Sequence, residues 1–278
     1  MLGKRLRKAA FALRTGGVRG LMGRVGSALI NLSQRGGGGP PLAPNIPTII
    51  DIGDSDLDWL MPAVGGWLQR GNLYCFDYAL RRLPPGTAIL EIGSFTGLST
   101  TILLTYRARI GASNPLFTCD RWNLADAGSQ GLGPQGLVPA TDYDAFIKDS
   151  FIRNVRFFGR GELPSTIELW SDDFFAAWRA GRELVDVFGR PARLGGPLGF
   201  VFIDGNHRYD FARRDFDNTD EFLAPGGFVL LDDSADAFGL DPARLAREIA
   251  RRPDYELIIK NPNYLFRKRS PEANQTSH

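Results

Sequence analysis

Cysteine and histidine are nearly missing from this chain, with two of each in 278 residues. Cys75 and Cys119 cannot form a disulfide framework, and nothing pairs them into a zinc-ligand spacing. A reducing, cytoplasmic setting is therefore expected. No run of 18 apolar residues occurs, so no transmembrane helix is expected. Acids are missing from residues 1–35, where Lys4, Arg5, Arg7, Lys8, Arg14, Arg19, Arg24 and Arg35 carry all the charge. The apolar stretch there is broken by Arg14, Gly16, Gly17 and Arg19, which does not make a signal peptide. The G-x-G-x-x-G spacing of a dinucleotide site is also lacking, which ranks a dehydrogenase low.

The remaining composition is that of a globular protein, 43% hydrophobic and 23% charged. With 33 basic residues in total and eight of them in the first 35, the body holds 25 basic against 31 acidic side chains, a net of −6. That balance carries no nucleic-acid footprint. The basic arm suits contact with anionic lipid or an acidic partner, and the plainer alternative is a solvated, partly helical extension. Gly36-Gly37-Gly38-Gly39-Pro40-Pro41 reads as a linker. The expected organisation is an arm and linker over 1–45, a helical, aromatic-rich cap segment over 46–86, a main domain over 87–270, and a tail over 271–278. Homo-oligomerisation is left open.

From Thr87 onward, short apolar runs alternate with amphipathic stretches, the signature of βαβ units and a mostly parallel sheet. The pattern predicts strands at Ala88–Ile92, Leu116–Cys119, Thr166–Trp170, Gly199–Ile203 and Gly227–Leu231. It predicts helices over Leu98–Arg109, Asp142–Arg153, Asp173–Phe188, Tyr209–Leu223 and Pro242–Arg251. Tyr255–Lys260 and Tyr264–Arg269 flank Asn261-Pro262-Asn263 and read as an antiparallel hairpin. Residues 121–165 exceed a normal crossover and are rich in Gly and Pro, as expected of a lid or binding segment.

The strongest motif runs from Ile89 to Ser99. A buried strand ends at Glu91, glycines follow at Gly93 and Gly97, and a helix begins with Ser99 in its first turn. Such glycines let a backbone approach a ligand closely. Glu91 would repel a pyrophosphate, yet it suits a ligand bearing a sulfonium and an amino group. The plain alternative is a strand-to-helix turn. This stretch resembles the class I S-adenosylmethionine methyltransferases. The resemblance implies a doubly wound, Rossmann-like α/β fold with a mostly parallel seven-stranded sheet and a C-terminal antiparallel hairpin. It also implies S-adenosylmethionine held by Glu91, Gly93, Ser94, Phe95, Gly97 and Ser99, ribose hydroxyls held by Asp120, and adenine contacts from Ser171 and Asp172.

A second constellation follows apolar strands at Asp204-Gly205-Asn206-His207 and Asp232-Asp233. If the strands are neighbours, the three carboxylates converge and cannot all stay ionised without a cation. A hard divalent ion such as Mg²⁺ would resolve the repulsion. The alternative is helix capping and loop solvation. This stretch is similar to the methyltransferase-24 type domain and to the metal-dependent O-methyltransferases of catechols and sugar hydroxyls. That likeness implies metal ligation by Asp204, Asp232 and Asp233. The catechol-type enzymes carry a lysine where this chain has His207. His278 ends a polar tail, so His207 is the available general base, unless it merely packs at a helix start. The expected activity is methyl transfer to a hydroxyl of a sugar, glycan or natural product, with Asp204 and His207 catalytic. The alternatives are a metal-independent N- or carboxyl-methyltransferase and a non-catalytic module that retained the fold.

Overall fold

The structure is a computed structural model that describes residues 50–123 and 138–270. The expectations for the basic arm, the linker, the tail and the Gly/Pro-rich part of the proposed lid lie outside the described residues. Two helices come first, α1 (Ser55–Ala63) and α2 (Arg70–Leu80). Asp54 caps α1, its carboxylate accepting from the N–H groups of Asp56 (3.0 Å) and Leu57 (3.2 Å). Strands and helices then alternate through β1 (Ala88–Ile92), α3 (Leu98–Ile110), β2 (Leu116–Cys119), α4 (Ala140–Phe158), β3 (Ser165–Ile167) and α5 (Ser171–Arg179). A small hairpin of β4 (Glu183–Val185) and β5 (Pro191–Arg193) leads into β6 (Leu198–Ile203), α6 (Tyr209–Phe222), β7 (Leu223–Leu231) and α7 (Asp241–Ile249). The chain closes with β8 (Tyr255–Lys260) and β9 (Tyr264–Lys268).

Seven strands form one sheet in the order β3-β2-β1-β6-β7-β9-β8, with β4 and β5 paired separately. Strands β1, β2, β3, β6 and β7 run parallel, and β9 is antiparallel to both of its neighbours. After β1 the chain builds outward through β2 and β3, then returns to place β6 on the other side of β1. The order therefore reverses between β1 and β6, and the carboxyl ends of those strands are where folds of this kind bind their ligands.

Alternate residues of each inner strand face opposite layers. Phe200, Phe202, Phe228 and Leu230 pack with α1 to α4, whereas Leu198, Val201, Ile203, Val229 and Leu231 pack with α5 to α7. Burial on both faces is why these strands read as unbroken apolar runs rather than alternating ones.

Helix α2 is fixed to the sheet and to the C-terminal hairpin together. Phe76 meets Phe200 and Phe202 edge to face, at centroid distances of 5.9 and 5.0 Å. The Asn261 side chain accepts from the Ile50 N–H (2.6 Å) and donates to the carbonyls of Ile50 (2.9 Å) and Gly71 (3.1 Å).

The helix expected over Asp142–Arg153 runs longer, over Ala140–Phe158, the strand expected over Gly227–Leu231 begins at Leu223, and two further elements end early. The helix expected over Asp173–Phe188 stops at Arg179, because Gly181 and Gly189 take left-handed φ values of 60° and 82° and the chain turns into the β4–β5 hairpin. Asp186 closes that hairpin by accepting from the N–H groups of Phe188 (2.9 Å) and Arg190 (2.8 Å). The strand expected over Thr166–Trp170 ends at Ile167, where the Leu169 N–H turns back to the Ile167 carbonyl (3.1 Å).

A Cβ at Gly71 would lie 1.6 Å from the Asn261 carbonyl oxygen. Gly71→Ala should therefore lower unfolding stability by about 3 kcal/mol in urea titration. A loss near zero would show that α2 and the hairpin turn can separate freely.

Candidate active site

The site is built where β1, β6 and β7 end side by side. The Asp204 N–H donates to the Ile92 carbonyl (2.8 Å) and the Asp232 N–H to the Ile203 carbonyl (2.9 Å), so pairing continues to the strand tips. A Cβ at Gly93 would sit 2.0 Å from the Asp204 carbonyl oxygen, and Gly93 has φ 84°. Only glycine lets the two strand ends close there.

On the β1 side, Glu91 is wholly buried. The Thr100 hydroxyl donates to its Oε2, while Oε1 and the neighbouring Ser94 hydroxyl are buried with no hydrogen-bond partner. Buried polar atoms left unpaired are costly, and this pair faces the loop where the sheet topology opens. Burial pushes the Glu91 carboxyl up to about 7, against the Ser99, Thr100 and Ser94 hydroxyls, which hold it down, Thr100 by a hydrogen bond and the two serines by proximity alone. Asp120 accepts from the N–H groups of Ser94 (2.7 Å) and Phe95 (2.9 Å) on one oxygen and of Trp122 (2.8 Å) on the other. In this state its carboxylate shapes the loop. The Trp122 indole N–H closes the same turn on the Phe95 carbonyl (2.8 Å). Gly97, at φ 88°, opens α3 against Val155 and Phe151, and Ser99 lies buried in the first turn.

On the β6 and β7 side, Asp232 is 5% exposed. Its Oδ1 accepts from the amides of Asn72 and Asn263, each at 2.6 Å. Asp204 lies beside it, and burial with the Asp232 charge raises the Asp204 carboxyl well above the usual carboxylate range. Asp232 is raised as well, by burial and the Asp233 charge, with the Asn72 amide opposing. Asp233 turns the other way, with Oδ2 at 3.5 Å from His207 Nδ1 and Oδ1 accepting from the Gln69 amide (3.3 Å). His207 is half-exposed.

The residues expected from sequence thus fall into two adjoining groups. Glu91, Gly93, Ser94, Phe95, Gly97, Ser99 and Asp120 form one, and Asp204, His207, Asp232 and Asp233 form the other. Ser171 and Asp172 stand in the first turn of α5, where the side chain of Asp172 is taken up by Asn218 (3.0 Å) and Arg214 (3.4 Å) of α6. The acids expected to hold Mg²⁺ have protein partners here: Asp232 accepts two amides on Oδ1, and Asp233 meets His207 and Gln69. Among the described residues no group of three His, Cys, Asp or Glu is arranged to hold an ion. Cys75 and Cys119 are buried, and burial pushes the Cys75 thiol up to about 12, which suits core packing rather than nucleophilic work.

Sequence reasoning missed Gln69, Asn72 and Asn263. An asparagine within a helix and another in a turn carry no signal of a carboxylate 160 or 31 residues away. The N-P-N turn announces the hairpin but not its reach into the site.

A seven-stranded sheet of this order, with its last strand pair antiparallel, defines the class I S-adenosylmethionine-dependent methyltransferase fold. The methyltransferase domain model of type 24 matches residues 90–234, more than half of the chain, so the protein belongs to that methyltransferase family. No curated protein matches it. Among solved structures, a candidate caffeoyl-CoA O-methyltransferase from Staphylococcus aureus is similar at a TM-score of 0.51 and 12% identity, over 88% of this chain and 99% of that one. The O-methyltransferase TomG from Streptomyces achromogenes gives 0.45 at 16% identity, over 88% and 96% of the two chains. An O-methyltransferase from Bacillus cereus gives 0.48 at 13%, over 88% and 97%. At such identities the likeness is one of fold. No helix among the described residues is long and apolar enough to cross a membrane.

The raised Glu91 carboxyl has a consequence for stability. Between its ordinary value of 4.5 and about 7, the folded protein keeps a proton that the unfolded chain has released. Stability is therefore full below the ordinary value and falls as pH rises through that window, by about 3 kcal/mol. Urea titrations of the ligand-free protein at pH 5 and pH 8 should show this extra loss in the native chain and not in Glu91→Gln. Equal slopes in both would mean that Glu91 is not the group responsible.

Proposed function

We propose that the chain transfers a methyl group from S-adenosylmethionine to a hydroxyl of a sugar, glycan or other natural product. The observation that carries this reading is the meeting, at the reversal point of the sheet, of two unlike groups. One is a loop with unpaired acceptor atoms at Glu91 and Ser94, and the other is an acid cluster carrying the histidine.

The Glu91 to Ser99 loop would take the methionine end of the cofactor. Glu91 Oε1 and the Ser94 hydroxyl offer acceptors to an ammonium group, and an ionised Glu91 lies near the sulfonium charge. Asp120 has two roles in this reading. It holds the loop through the Ser94 and Phe95 N–H groups, and its Oδ1 has a lone pair left for a ribose hydroxyl. Ser171 and Asp172 remain the candidates at the adenine end.

Methyl transfer is an in-line displacement at carbon. The acceptor oxygen forms a bond to the methyl carbon as the carbon–sulfur bond breaks, and the hydroxyl proton must leave. His207 is the proton acceptor in this reading, with Asp233 stabilising the imidazolium through Nδ1. Asp204, next to Asp232, orients the acceptor through a neighbouring hydroxyl, leaving the reacting hydroxyl's proton to His207. These steps use only the side chains present; a divalent ion, if bound, would be held by Asp204, Asp232 and Asp233 and would lower the pKa of the acceptor hydroxyl.

Calorimetric titration with S-adenosylhomocysteine tests the cofactor half. Binding should be seen, and Glu91→Ala or Asp120→Ala should weaken it by about 1–3 kcal/mol, the cost of stranding buried partners. Asp204→Ala and Asp232→Ala should abolish transfer from labelled S-adenosylmethionine while leaving that affinity nearly intact. Equal damage to cofactor binding by both pairs would contradict this division of the site. Activity lost on chelation and regained with Mg²⁺ alone would replace the His207–Asp233 pairing with an ion at the three acids.

A further inference from the structure

The segment joining α1 to α2 crosses the mouth of the site as a strap. At its near end, the Thr96 hydroxyl donates to the Gly65 carbonyl. Gly66 lies so close to α3 that a Cβ there would be 2.9 Å from the Leu98 Cβ. The Trp67 indole stacks on the Phe95 ring, with centroids 5.0 Å apart and planes 22° from parallel. At its far end, Gln69 Nε2 reaches Asp233 (3.3 Å) and Asn72 Nδ2 reaches Asp232 (2.6 Å). Eight residues thus span from the loop read as the methyl donor's seat to the acids read as the acceptor's.

Two features of the strap have no use within the fold. Trp67 is 79% exposed, so one indole face is spent on Phe95 and the other is open to solvent. Gln69 Oε1 is buried without a hydrogen-bond partner, although the amide nitrogen of the same group is paired. A buried acceptor left empty is disfavoured until a donor arrives. An open aromatic face beside a lone acceptor and a row of carboxylates matches a ring with apolar faces and several hydroxyls around its edge.

We propose that Trp67 and Gln69 are the acceptor-recognition residues, holding a pyranose ring by stacking on the indole and by a hydroxyl donated to Gln69 Oε1. This rests on the methyl-transfer reading above and names the acceptor class for the same site. A pyranose carries a hydroxyl for Gln69 Oε1 besides the one that faces His207, and the C–H face of its ring covers the open indole face; catechol is the competing ligand that the test separates from it.

Saturation-transfer NMR on the full chain, saturated with S-adenosylhomocysteine, tests this with methyl glucopyranoside, galactopyranoside, mannopyranoside and rhamnopyranoside, and with catechol. At least one pyranoside should bind. Trp67→Ala and Gln69→Leu should each weaken it by about tenfold, while S-adenosylhomocysteine affinity in Gln69→Leu stays within about twofold. Trp67→Phe, which keeps a stacking face, should recover most of the loss. Because Trp67 lies outside the core, its variants test the proposal even if Gln69→Leu fails to fold. No pyranoside binding to the S-adenosylhomocysteine-saturated chain, pyranoside binding unchanged in both variants, or binding of catechol alone would overturn the proposal while leaving methyl transfer standing. Absence of S-adenosylhomocysteine binding in the native chain would instead remove the methyl-transfer reading, and this proposal with it.

Discussion

Carboxylates crowded at the tips of neighbouring strands set the terms for everything around them. Asp232 is buried, Asp204 lies beside it, and like charges in such a place need donors or a proton. The donors come from far along the chain. Asn72 arrives on a helix before the first strand, and Asn263 comes from the turn of the last hairpin. Their amides also meet each other, Asn263 Nδ2 donating to Asn72 Oδ1 at 3.0 Å. The same turn anchors the chain at Ile50 and the start of α2 through Asn261. Satisfying one carboxylate oxygen thereby ties both ends of the described chain to the functional edge. Gly71 exists to let them close.

The cofactor side shows a related economy. Gly93 lets β1 and β6 end in contact, which brings the Glu91 charge near enough to raise Asp204. Non-glycine residues with positive φ are costly, and among the described residues they are Phe95, Trp122, Arg160 and Asp233. Three of these four stand at the same edge. Phe95 and Trp122 shape the loop that Asp120 holds, and Asp233 turns its carboxylate to His207. Strain concentrated where two chemically unlike groups face each other is the pattern of a site held ready for a ligand.

Much of the architecture was legible in the sequence because both faces of the sheet are buried. β1 and β2 lie where their apolar runs predict them, and β6 and the C-terminal hairpin differ at their ends by a residue. The Glu91 to Gly97 loop and the acids after β6 and β7 were legible because topology fixes the carboxyl edge as the place for ligands. The β4–β5 hairpin was not, because Arg182 to Phe188 has the amphipathic look of a helix and only the paired glycines break it. The partners of the acids were not legible either. Gln69, Asn72 and Asn263 act through long-range contacts, and neither residue type nor spacing announces a contact across 160 residues. The three acids expected to converge do crowd together, and what the sequence did not announce is that Asp233 meets a histidine and an amide there.

The central claim is that the edge between β1 and β6 seats the methyl donor against the acid–histidine cluster. A crystal structure of the complex with S-adenosylhomocysteine tests it most directly. The account requires the homocysteine amino group on Glu91 and Ser94, and the sulfur directed towards Asp204 and His207. A ligand bound elsewhere on the chain, or bound there with its sulfur turned away from the acids, would contradict it.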